Sequence, residues 1–147
     1  MNQSLKHKIF SFIKKPLIIA VTLFVFTLVE IYWAMGSFSN KLSSACLDCS
    51  FFDDAYLMAL FSTVFLSIVF LPFSLIKNNN LQVTLQLLLL ILVWFFWNYI
   101  IFVDRESSWS TYLFKEEVMY TLKFSFLPIL VLSIVTVFTL NYILKKL

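Results

Sequence analysis

The stretch from Leu17 to Met35, LIIAVTLFVFTLVEIYWAM, decides the fold. It is nearly all hydrophobic and long enough to cross a hydrocarbon core of roughly 30 Å as one helix. One residue in it, Glu30, does not belong in hydrocarbon. Outward from this run, the preceding segment Met1–Lys15 carries Lys6, Lys8, Lys14 and Lys15 interleaved with Leu5, Ile9, Phe12 and Ile13. That spacing predicts a short amphipathic helix on an anionic leaflet, or a basic flank that only sets topology. Pro16 suits the first turn of a new helix, where its missing N–H costs nothing. The Lys-rich start and Ala34-Met35-Gly36 loosely fit a leader peptide. Glu30, Trp33 and the length of the run fit one badly, so an uncleaved span is expected.

The rest of the chain repeats the pattern. The second span runs over about 55–76, with Ser50-Phe51-Phe52-Asp53 shaped as a capping box at its start and Pro72 expected to kink its inner end. Lys77-Asn78-Asn79-Asn80 is a tight turn that forces an antiparallel hairpin onto a third span at about 81–103. Residues 109–123 are too polar to span and too patterned for coil, and predict an interfacial helix on the outer face. The last span, at about 124–144, closes on Lys145 and Lys146.

The fold expected is an all-α membrane protein, a single domain over 1–147. It is a four-transmembrane-helix antiparallel bundle with an N-terminal amphipathic segment and an outer-face interfacial helix. Composition agrees: 61% of residues are hydrophobic and only 13% charged, whereas soluble domains are about a quarter charged. The net charge of +3 sits mostly on lysines at helix ends, which topology explains without nucleic acid. The N-terminal flank, Lys77 and the Lys145-Lys146 end carry no acid, while every acid but Glu30 falls in the first and third loops. The positive-inside rule therefore puts both termini in the cytoplasm and the first loop outside, with a bacterial inner membrane as the expected location. A single glycine, Gly36, argues against autonomous transport, which draws on glycine for close helix contacts and broken helices.

Two constellations carry possible chemistry. Cys46-Leu47-Asp48-Cys49 is a CxxC pair in the first outer loop. It reads as a disulfide that pins the loop, as a thiol–disulfide exchange centre with Cys49 near a helix N-terminus, or as free thiols. In topology and in this motif the chain resembles the quinone-coupled disulfide oxidases, which implies a redox role for Cys46 and Cys49. Those enzymes also use a second cysteine pair in their second outer loop, and the matching stretch here, Asp104–Lys123, has no cysteine. Asp48, Asp53 and Asp54 further oppose a stable thiolate.

Glu30 is the other candidate. Counted back from Gly36 and Asp104, Glu30 and Asn98 lie at similar depth, so a hydrogen bond between the first and third helices is expected. Such a pair is structural glue if Glu30 is protonated. An ionised Glu30 implies proton handling or a cationic partner. Tyr32, Trp33, Trp94 and Trp97 are expected to form an aromatic cluster around it, either as packing or as a receptor for a ring or a partner helix.

No metal site, cofactor or catalytic residue beyond the cysteines is expected. His7, the only histidine, lies across the membrane from the CxxC pair, and phosphate-loop, nucleophile-elbow and metalloprotease motifs are missing. Three functions remain. The first is a non-enzymatic protein acting by helix-mediated binding in the membrane, with the bilayer and a membrane-protein or toxin partner. In size, span number and orientation this resembles immunity proteins against pore-forming bacteriocins and exclusion proteins. The second is an accessory subunit of a larger membrane complex. The third is a membrane thiol–disulfide oxidoreductase.

Overall fold

The computed structural model describes residues 3–73 and 76–146. It contains four long helices, α1 Gln3–Met35, α2 Phe51–Phe73, α3 Asn79–Arg105 and α4 Phe114–Lys146, and no strand among the described residues. Each is long and apolar enough to cross a membrane. Short 3₁₀ turns at Gly36–Phe38 and Ser107–Trp109 follow α1 and α3 at the end that carries the cysteines, labelled the outer end after the orientation expected from the charges.

Each helix buries one stripe. On α2 it is Phe51, Ala55, Ala59, Ser62, Leu66 and Phe70; on α3 it is Gln86, Leu90, Trp94, Asn98, Phe102 and Arg105. Steps of three and four residues keep such positions on one side of a helix. Around these stripes lie large exposed apolar residues such as Val21, Phe61, Phe65, Leu92, Phe96 and Phe138, the surface a bilayer solvates. The α1 helix is central: it packs most extensively on α2, then on α4, and less on α3. The α2–α3 contact is slight, so the bundle is looser on that side.

Local sequence sets the helix ends. Ser50 and Asp53 form the expected reciprocal cap: the Asp53 N–H donates to Ser50 Oγ and the Ser50 N–H to Asp53 Oδ2, both at 3.2 Å. Asn78 caps α3 by accepting from the Asn80 and Leu81 N–H groups. Arg105 completes the last turn of α3, and Lys145 and Lys146 that of α4, where cations favour the helix dipole.

Three expectations are corrected. The α1 helix runs unbroken through Pro16, so no separate N-terminal helix ends there. One proline removes only one backbone hydrogen bond, and membrane helices absorb that loss. The amphipathic pairing of Lys6 and Lys8 with Leu5, Ile9, Phe12 and Ile13 lies outside the described side chains. Pro72 is the second-to-last residue of α2, and by Ile76 the chain has left the helix, so it marks the end rather than an internal kink.

The outer interfacial helix is the third. Residues 114–123 are helical but continuous with the last span, because no glycine or proline separates Phe114 from Leu127. The Tyr99 hydroxyl donates to Glu117 Oε2 at 2.8 Å, and Tyr120 stacks on Phe102, so these turns are bound to the outer end of α3.

Candidate functional site

A polar core lies inside the apolar stripes. The Asn98 side-chain amide donates to Glu30 Oε1 at 2.7 Å, and both residues are fully buried. One turn toward the inner end, the Trp94 indole N–H donates to Thr27 Oγ1 at 3.0 Å, again between α3 and α1. Four-residue steps on α3 and three-residue steps on α1 put the two bonds one above the other. Glu30 Oε2 and Asn98 Oδ1 have no partner among the described residues. The cluster therefore has unused hydrogen-bonding capacity in the middle of the bundle. No cation among the described residues pairs with Glu30, and an unpaired buried charge costs several kcal/mol.

The sequence-derived aromatic cluster is not assembled around this pair. Ile31 and Ala34 share the inner stripe with Glu30, which turns Tyr32 and Trp33 to the surface, at 43% and 50% exposure. Tyr32 packs edge-on against Phe51 instead. Trp94 is buried against Thr27, and Trp97 donates to Ser62 Oγ at 2.7 Å across the α2–α3 seam. The four rings serve three separate places.

Cys46 and Cys49 form a disulfide with Cα atoms 5.3 Å apart. The loop that holds them is anchored at many points, and its organiser is a residue that sequence reasoning missed. Arg105, 2% exposed, donates to the Lys41 carbonyl at 2.6 Å and the Cys49 carbonyl at 3.4 Å, pairs with Asp54, and lies over the Phe51 ring. Asp104 accepts from the Ser44 hydroxyl at 2.8 Å and the Ala45 N–H at 2.9 Å. Lys41 pairs with Glu106, and the Trp109 indole donates to the Leu42 carbonyl at 3.1 Å. The end of α3 thus grips the α1–α2 loop on both sides of the disulfide. The signal available in sequence was the acid-base-acid run Asp104-Arg105-Glu106.

One surface feature lies beside the polar core. Phe61, Ser62 and Phe65 of α2 and Val93, Phe96 and Trp97 of α3 line an open apolar cavity of about 500 Å³. Its two polar side chains, Trp97 and Ser62, bond to each other. No cluster of three His, Cys, Asp or Glu suited to a metal occurs among the described residues.

The fold and this distribution of polar groups define an integral membrane protein, an all-α bundle of four helices with a buried polar centre and a disulfide-bonded cap at one end. Comparison with protein families, with curated proteins and with solved structures finds no match.

Proposed function

We propose that this is a small protein of a bacterial inner membrane, with both termini cytoplasmic, that acts by binding another membrane species through its helix surfaces. Immunity or exclusion directed at a pore-forming toxin is the form of that activity we favour. The observation that carries the reading is the α2–α3 cavity, where Phe61, Phe65, Phe96 and Trp97 offer a concave aromatic surface on the side where the bundle is least closed. Such a surface suits an incoming apolar helix, which gains packing where lipid chains fit less well. The asymmetry of lysines supports the orientation. The many anchors on the first loop fit a disulfide that holds shape, since that loop is bound as a unit to α3.

The test is protection of sensitive cells that produce the chain against a panel of pore-forming bacteriocins. A Phe61→Ala, Phe96→Ala variant is expected to lose protection while its membrane level is unchanged. Protection by neither the wild type nor the variant, or equal protection by both, removes this reading.

A second reading, an accessory subunit, draws on a different observation. The 33-residue α4 is about 50 Å long against a hydrocarbon core of roughly 30 Å, and its outer turns expose Phe114 and Met119 at 73% and 68%. A partner in a larger complex would cover them. Stoichiometric co-purification of other membrane proteins in mild detergent favours this reading; recovery of the chain alone removes it.

A further inference from the structure

At the end of the bundle opposite the disulfide, α3 and α4 leave a cavity of about 240 Å³ between them. Its walls include Val83, Leu87 and Val137, and its mouth carries Asn79, Tyr142 and Lys145. The cavity is therefore apolar along its length and polar with one full positive charge at the opening.

The surroundings narrow the occupant. Asn141 also touches the cavity, but its groups are engaged: its amide donates to Gln86 Oε1 at 3.2 Å and the Val137 carbonyl at 2.9 Å, and its oxygen accepts from Gln82 at 3.4 Å. Lys146 lies over the Tyr142 ring at 4.5 Å. Lys145 is exposed and has no ion pair among the described residues. This end of the bundle also carries Lys14, Lys15 and Lys77, and all the acids except the buried Glu30 belong to the far end. An unpaired cation over an apolar slot, in a basic field at the headgroup level, matches a molecule with one anionic end and a long apolar body.

We propose that this cavity binds an anionic phospholipid, with its phosphate at Lys145 and an acyl chain along the α3–α4 groove. The site lies between α3 and α4, shares no lining residue with the mid-helix α2–α3 surface assigned above to partner binding, and does not depend on that assignment.

The experiment is native mass spectrometry of the full chain in a neutral detergent, with phosphatidylglycerol and phosphatidylcholine of identical acyl chains added at equal concentration. Retention of phosphatidylglycerol is expected to exceed that of phosphatidylcholine by about fivefold, the size one lysine near a lipid phosphate supplies. Lys145→Gln should bring the ratio close to one, and Lys145→Arg should keep it. A Val83→Phe change, which fills the slot, should lower retention of both lipids. The control is Lys14→Gln, Lys15→Gln, which removes charge at the same membrane level outside the cavity and should leave the ratio unchanged. Equal retention of the two lipids by the wild type overturns the proposal. So does a loss of preference as large in the Lys14, Lys15 control as in Lys145→Gln, which would assign the effect to general surface charge.

Discussion

The two ends of the bundle solve the same problem, joining helices outside hydrocarbon, with opposite chemistry. At the outer end a long loop is bound by ion pairs, a buried guanidinium, a disulfide and an indole. At the inner end α2 and α3 are joined by a short connection closed by the Asn78 cap, and the hydrogen bonds between α3 and α4 there, among the described residues, come from the neutral amides of Gln82, Gln86 and Asn141. The difference follows from loop length. A long connection loses more entropy when ordered and needs strong, directional anchors, whereas a tight turn is fixed by its own geometry and one cap. Charge is used where water lowers its cost, and amides where the chain enters hydrocarbon.

Four variants measure that contrast, from the largest expected effect to the smallest, with Glu30→Gln as a near-neutral control, each read as unfolding free energy in mixed micelles. Replacing Arg105 by Leu should cost about 3–5 kcal/mol, because Asp54 and two loop carbonyls lose a buried partner at once. A cost below about 1 kcal/mol would mean the outer end does not depend on this residue. The Cys46→Ser, Cys49→Ser pair should cost roughly 2 kcal/mol or less, since the bond closes a very short loop already anchored by α3. It should leave the proposed protective activity intact, and loss of that activity with stability retained would instead point to redox chemistry.

In the bundle centre, Asn98→Leu should cost about 1–2 kcal/mol by leaving Glu30 without its donor. Glu30→Gln, which can still accept from Asn98, should be nearly neutral in stability. If it abolishes activity while the fold persists, the acid group itself is used. At the inner end, Asn141→Leu should cost only about 0.6 kcal/mol, the usual size of an amide bond between membrane helices. An inner-end cost equal to that of Arg105→Leu would erase the contrast.

Much of the architecture was readable from the residues because hydrocarbon thickness sets the length of the apolar runs. Ser50 and Asp53 announced the start of α2, since a reciprocal cap needs only those two side chains at that spacing. Counting from the outer ends put Glu30 and Asn98 at one depth, and the structure joins them. Rotation was harder than depth. Tyr32 is two positions from Glu30, about 200° around the helix, and so lies on the lipid side. Helix continuity was also hard to read: the charges of residues 115–123 suggested a separate element, yet no residue there breaks the helix. Arg105 resembled any basic residue at a helix end. Two of its partners are backbone carbonyls, which a sequence does not mark.

The grip of Arg105 on the first loop also imposes an order of assembly. Lys41, Cys49 and Asp54 leave the ribosome well before Arg105, with two membrane crossings between them. The loop is therefore translated early and finished late. Its disulfide can close as soon as Cys46 and Cys49 have both been made, but the cap settles only when α3 has delivered its far end. A chain truncated within α3 would present an oxidised, unanchored loop, and one carried through Trp109 would present a docked one. The last turn of α3 is thus the point in synthesis at which the disulfide-bearing end acquires its shape.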